Sequence, residues 1–71
     1  MNWHYQLINR ETYVELVEVY YEDDKELTGY TVPLLISDNQ QDMLRTLALM
    51  RYDVKTKPIL KENELPIESG E

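Results

Sequence analysis

The stretch TYVELVEVYYE, residues 12–22, decides the fold. Seven of these eleven residues are β-branched or aromatic, the types that favour a pleated, half-buried backbone. The stretch therefore predicts a long β-strand. Its length allows the segments on both sides of it in the chain to pair with it.

Two further strands flank this one. Trp3–Asn9 is rich in aromatic and branched residues, and Leu27–Leu35 follows a charged turn. Polar residues at Arg10 and Glu11 separate the first two strands, so the three are predicted to form an antiparallel meander. Pro33 has no N–H for a ladder, which predicts that the third strand lies at a sheet edge.

A helix is predicted after the meander. Ser37 and Gln40 have the spacing of a capping box, and the helical pattern runs from Asp38 to about Tyr52. Pro58 prevents its continuation. One apolar stripe, which we expect to pack on the sheet, contains Met43, Leu44, Leu47, Met50 and Val54.

These elements predict an α+β fold, a three-stranded antiparallel β-meander followed by one α-helix packed on one face (β-β-β-α). Residues 1–60 are predicted to form a single domain. Residues 61–71 show no periodic pattern, and they are predicted to be a flexible, disordered acidic tail.

The faces of the sheet follow from a turn centred on Arg10-Glu11, which pairs Leu7 with Val14. The face expected beneath the helix carries Trp3, Tyr5, Leu7, Val14, Leu16 and Tyr20. The third strand has two possible registers. A three-residue turn, which we favour, places Tyr30 on this core face, and a four-residue turn places it on the other.

The opposite face is apolar along the second strand, where a solvated face normally alternates with polar residues. It carries Tyr13, Val17, Val19 and Tyr21. A β-bulge near Glu18 would shift the register and remove the conflict. Otherwise the face needs a cover, from the tail, a second copy or another protein, and its four residues are the predicted interaction surface.

Composition and charge exclude several function classes. Fourteen acidic and seven basic residues give a net charge of −7, which disfavours binding to nucleic acid or to an anionic membrane. No stretch approaches the ~20 apolar residues of a membrane span, and no signal peptide is recognisable, so a cytoplasmic protein is expected. A chain of 71 residues without cysteine has oligomerisation as its remaining support for a small core.

No catalytic, cofactor-binding or metal site is predicted. His4 is the single histidine, and without a nucleophile or pocket in the pattern its expected role is that of a half-exposed strand residue. The acidic turn from Glu22 to Glu26 lacks the ligand alternation and the glycine of a calcium loop. We therefore expect no enzymatic activity and no cofactor.

Four short motifs resemble a group of small uncharacterised bacterial and phage proteins. They are Trp3-x-Tyr5, Glu18-Val-Tyr-Tyr21 before acidic residues, Gly29-Tyr-Thr31, and Lys57-Pro-Ile-Leu60 after the helix. Tyr30 stands where the group usually has tryptophan. The resemblance covers residues 3–60 and implies the β-β-β-α order, but it implies no activity, since the group has none assigned.

The predicted function is that of a small non-enzymatic protein–protein interaction module. It is expected to form a homodimer or to bind another protein through the apolar face of the second strand. The alternative is a phage or mobile-element accessory protein that inhibits a host factor through its acidic surface. Size, charge and the resemblance support that alternative.

Overall fold

The elements of the fold appear in the predicted order. A computed structural model of the chain describes residues 2–23 and 26–65. Its elements are β1 (Asn2–Asn9), β2 (Val14–Glu22), β3 (Glu26–Thr31), α1 (Gln40–Thr56), β4 (Leu60–Lys61) and a 3-10 helix (Glu62–Glu64). The α+β class is confirmed, and the prediction lacks the fourth strand.

The four strands form one sheet in the order β3-β2-β1-β4. β4 runs parallel to β1, and the other pairs are antiparallel. No helix within the described residues is long and apolar enough to cross a bilayer.

The β1–β2 register differs from the predicted one by two residues. Leu7 lies opposite Leu16 rather than Val14, because the connecting turn is longer than expected. The N–H of Arg10 donates to the carbonyl of Tyr13 at 2.8 Å and closes that turn. A shift of two keeps the alternation of side chains, so the predicted membership of each sheet face stands.

The favoured register of the third strand is wrong. Tyr30 lies opposite Val19 and therefore shares the face of the buried valines, not the face expected beneath the helix. The cause is an irregularity between Tyr20 and Tyr21, where the partner shifts from Gly29 to Leu27. Such a bulge adds a residue to one strand, and neither turn length in the prediction included it.

The helix begins later and ends later than predicted. Asn39, not Ser37, is the N-cap, and its side chain accepts a hydrogen bond from the N–H of Asp42 at 2.9 Å. The helix then continues to Thr56, just before Pro58. An asparagine cap satisfies an N–H of the first turn as a serine would, so either candidate fits local chemistry.

Only part of the predicted stripe lies inward, since Met43, Met50 and Val54 are buried or partly buried. The main contacts of the helix are with β1. Met50 and Asp53 are buried, whereas Leu44 and Leu47 of the predicted stripe are 50% and 45% exposed. The Asp53 carboxylate accepts the N–H of Tyr5 at 2.9 Å. β4 pairs only with Ile8 and Asn9, so the N–H of Tyr5 donates to Asp53 instead of to a neighbouring strand. The bond also holds Asp53 in its buried position.

The core lies on the sheet face that was expected to be uncovered. Its buried members are Ile8, Val17, Val19 and Leu60, with Tyr21, Leu27, Tyr30 and Leu65 packed against them. Residues 61–65, predicted as part of a flexible tail, form the end of β4 and the 3-10 helix. Residues 66–71 lie outside the described residues.

Candidate functional site: an exposed apolar run and a helix surface

The four residues predicted as an interaction surface differ in how far they are exposed. Val17 and Val19 are fully buried, with 0% of their surface exposed. Tyr21 is half-buried, and only Tyr13, in the turn before β2, is largely exposed, at 61%. The structure therefore leaves Tyr13 alone at the surface and places the valines in the core.

A polar cluster around Gln6 explains how that face is closed. The buried Gln6 amide donates through Nε2 to the carbonyl of Pro58 at 2.8 Å. Its Oε1 accepts from the Tyr21 hydroxyl at 3.0 Å and from His4 Nε2 at 2.8 Å. One side chain thus fastens the segment after the helix to the sheet and orients two rings that stack 5.0 Å apart. His4 is consequently a structural residue of this cluster.

Residues 58–65 cover the valine face, and an ion-pair cluster fastens the far end of this segment. Arg10 lies 2.8 Å from Glu62 and 3.0 Å from Glu15. Hydrogen bonds to Glu62, Tyr30 and Glu15 raise the pKa of Arg10 above its ordinary value. Burial, reinforced by the charge of Glu64, raises the pKa of the Tyr21 hydroxyl. The 3-10 helix is therefore held over the core by charged groups at its edge.

The depressions beside Arg10 do not make a site for chemistry. The lining of the first includes Arg10, Glu11, Tyr13 and Glu62, and it opens widely to solvent. Arg10, its main charged group, is already paired with two carboxylates. Among residues 2–23 and 26–65, no cluster of three histidine or acidic residues could hold a metal ion.

A second feature is an apolar segment that is exposed to solvent. Residues 32–36, with the sequence Val-Pro-Leu-Leu-Ile, connect β3 to α1 without regular secondary structure; we call them the exposed run. The exposed fractions are 57% for Val32, 75% for Leu34, 54% for Leu35 and 74% for Ile36. A contiguous apolar patch of this kind is uncommon on soluble monomers and marks interaction sites.

The outward side of α1 adds further apolar surface. Leu44, Leu47, Leu49 and Tyr52 are each at least 44% exposed. Basic residues Arg45, Arg51 and Lys55 are exposed between them. In the described chain, twelve large apolar side chains are exposed and six are buried. The unusual property of this molecule is therefore its surface rather than a cavity.

Comparison with protein-family models, with curated proteins and with solved structures finds no match to this chain. The resemblance of its short motifs to small bacterial and phage proteins therefore stays a prediction.

The sequence does contain a signal for the exposed run. Residues 27–37 include no charged residue, in a chain in which almost a third of the residues are charged. We assigned residues 32–35 to the third strand, which ends at Thr31 in the structure. Five consecutive apolar residues that include Pro33 are a poor edge strand, and that conflict marks them as a surface segment.

Proposed function

We propose that this chain is a small non-enzymatic protein–protein interaction module that self-associates through the exposed run. The observation that carries the proposal is the exposure of Val32, Leu34, Leu35 and Ile36, each more than half accessible within one short segment. Solvent-exposed apolar side chains at this density favour association, since burial removes them from water.

The size of the apolar surface is adequate for a dimer. Burying the accessible parts of these four side chains is worth about 4–8 kcal/mol for each chain, at ~1.5–3 kcal/mol for a whole side chain. Two chains contribute twice that amount. Association costs about 4–15 kcal/mol in lost translational and rotational freedom. The gain and the cost are of the same order, which supports a reversible dimer.

Charge does not oppose a second copy at the exposed run, although it does over most of the chain. The chain carries a net charge of −7, so two copies repel one another through most of their surfaces. Residues 27–37 carry no charge and form the region where two copies can approach without that repulsion. A symmetric contact places the same uncharged segment on both sides.

The small core supplies a reason for the association. Six apolar side chains are buried in the described part of the chain, and the sequence contains no cysteine. Domains of this size gain little stability from one core and commonly gain the remainder by oligomerisation. We therefore propose the exposed run as the dimer surface, in place of the valine face predicted from the sequence, which residues 58–65 cover.

Sedimentation equilibrium of the wild-type chain and of a Leu34→Asp/Ile36→Asp variant tests the proposal. The wild type is expected to sediment as a dimer at micromolar concentration, and the variant as a folded monomer. Leu49→Asp is the matched control, because Leu49 is exposed on α1 outside the run. A wild-type monomer at high micromolar concentration, or a variant that still dimerises, contradicts the proposal.

A further inference from the structure

We propose that a second surface, the outer side of α1, binds an acidic amphipathic helix of another protein. The proposal goes beyond the proposed function, because it assigns a partner chemistry to a surface distinct from the exposed run. The residues concerned are Leu44, Leu47, Arg51 and Lys55, which we call the outer stripe.

Helical geometry brings the four residues of the outer stripe into one row. Positions i, i+3, i+7 and i+11 lie along one side of a helix, so two leucines are followed by two bases. All four side chains are exposed. A helix that docks in this manner meets apolar anchors at one end of the row and positive charge at the other.

The segment that contains the outer stripe is positively charged, whereas the chain as a whole is negatively charged. Residues 40–61 contain five basic and two acidic residues, a net of +3, so the remainder of the −7 chain carries −10. One of the two acidic residues, Asp53, is buried against β1, and the other, Asp42, pairs with Arg45 at 2.9 Å. Arg51 and Lys55 have no ion-pair partner among the described residues. The outer stripe therefore presents uncompensated positive charge.

The helix dipole accounts for only part of this pattern. Basic residues in the last turn, such as Lys55, interact favourably with the negative end of the dipole. The dipole gives no reason for exposed leucines at Leu44 and Leu47 in the first half of the helix. The combination of leucine and base in one row is instead typical of an interface, where apolar anchors provide affinity and charge provides specificity.

The observations favour a protein partner over other polyanions. Nucleic acid and anionic lipid both extend beyond the stripe and would meet the −10 of the remaining surface. A helix that lies in a membrane interface has its bases beside a continuous apolar face, whereas Arg51 and Lys55 stand in line with the leucines. A symmetric contact between two outer stripes would oppose like charges. A short acidic helix with leucines on one side can stay within the stripe, where its charge is opposite to that of Arg51 and Lys55.

The test is a binding titration of the full chain with a synthetic amphipathic peptide that has leucine on one side and glutamate elsewhere. Its partner peptide has lysine in place of every glutamate. We expect the glutamate peptide to bind and to lose about tenfold in affinity when salt rises from about 0.05 M to about 0.3 M, because screening weakens exposed charges. Equal binding of the two peptides overturns the proposal.

Two arginines of the same helix provide the matched variants. Arg51→Glu is expected to weaken binding of the glutamate peptide by about tenfold or more, and Arg45→Glu, off the stripe, by less than about threefold. Equal losses in the two variants overturn the proposal, since they indicate a general effect of net charge. Absence of peptide binding, with binding to phosphatidylserine vesicles or to polyuridylate instead, also overturns it.

The same titration separates this proposal from the proposed function. The Leu34→Asp/Ile36→Asp variant alters only the exposed run, so it should bind the glutamate peptide as the wild type does. Failure of self-association is read from sedimentation alone. Failure of the outer stripe is read from the peptide alone. Sedimentation of the wild type beyond a dimer, abolished by Arg51→Glu, would assign the stripe to a second copy and overturn the acidic-partner proposal.

Discussion

The valine face of the sheet and the exposed run are both apolar, yet among the described residues only the first is covered. Val17 and Val19 are inaccessible, while Leu34 and Ile36 are about three-quarters exposed. Residues 58–65 cover the first, and the part of the chain that the structure describes has no comparable segment over the second. Apolar character alone therefore does not decide which surface becomes core.

The difference lies in polar groups that fasten the cover. Gln6 holds the carbonyl of Pro58, and Arg10 holds Glu62, so both ends of the short segment are tied to β1 and the turn that follows it. Leu60 then completes the core with little further ordering. No such tie reaches the exposed run in the described residues, and its apolar side chains stay exposed there.

The largest effect is expected from a substitution of Leu60, the buried apolar residue of the segment 58–65. Leu60→Ala removes a buried side chain from the core and should lower the free energy of unfolding by about 2–5 kcal/mol. Urea denaturation at one fixed protein concentration measures the change. Ile59→Ala is the control, because Ile59 is 53% exposed and should cost below ~1 kcal/mol. Equal effects of the two substitutions would mean that residues 58–65 do not close the core.

The next largest effect is expected from the hydrogen bond between Gln6 and the Pro58 carbonyl, which holds residues 58–65 on the sheet. Gln6→Ala leaves the carbonyl of Pro58 and the hydroxyl of Tyr21 without their partner, at a cost of about 1–3 kcal/mol. The thermal midpoint should fall accordingly. His4→Ala, which removes one neighbour of Gln6 but keeps the tie to Pro58, should cost less. A larger loss for His4→Ala would show that ring stacking, and not the tie to Pro58, holds the cover.

A local effect is expected at the edge of β1. Asp53→Ala removes the acceptor of the Tyr5 N–H, and hydrogen–deuterium exchange at the Tyr5 amide should accelerate more than exchange at Gln6. Asp53→Asn retains an acceptor oxygen and should preserve most of the protection. If exchange at Tyr5 is unchanged in Asp53→Ala, the Tyr5 N–H of β1 is not protected by its hydrogen bond to the helix.

The smallest effect is a pH dependence that reports on the tyrosines of both faces. Burial raises the pKa of Tyr5, Tyr20 and Tyr21, with Glu18 adding to the first two and Glu64 to the third. An unfolded tyrosine ionises near pH ~10, so the folded chain retains these protons to higher pH. Stability is thus full below about pH 10 and falls as pH rises through the folded-state pKa values.

Denaturation between about pH 8 and about pH 11 checks this dependence. Tyr21→Phe removes one of the three contributing groups, so its stability should decline less over that range. A stability that does not change across the range would show that the three hydroxyls are in equivalent surroundings in the folded and unfolded chains.

Local sequence patterns predict much of the fold but little of its surface. Strand identity followed from residues such as those of 12–22, and the element order is correct. The bulge opposite Tyr20 and Tyr21 has no local signature, so the side of Tyr30 was mispredicted. The burial of Asp53 on the helix goes with a long-range hydrogen bond from the Tyr5 N–H, which periodicity does not encode.

The candidate site was mispredicted for a related reason. A two-residue strand such as β4 has too few residues to show alternation, and its pairing with Ile8 and Asn9 is a long-range event. Without it, Val17 and Val19 looked uncovered. The uncharged stretch 27–37 was visible in the sequence, but its exposure depends on where β3 ends.

If the chain self-associates as proposed, the exposed run is buried between two copies and contributes to stability. The most direct measurement is the thermal midpoint across a hundredfold dilution, since only an associating chain has a concentration-dependent midpoint. The wild-type midpoint should fall on dilution, and that of Leu34→Asp/Ile36→Asp should stay constant. A wild-type midpoint that is independent of concentration would contradict the account.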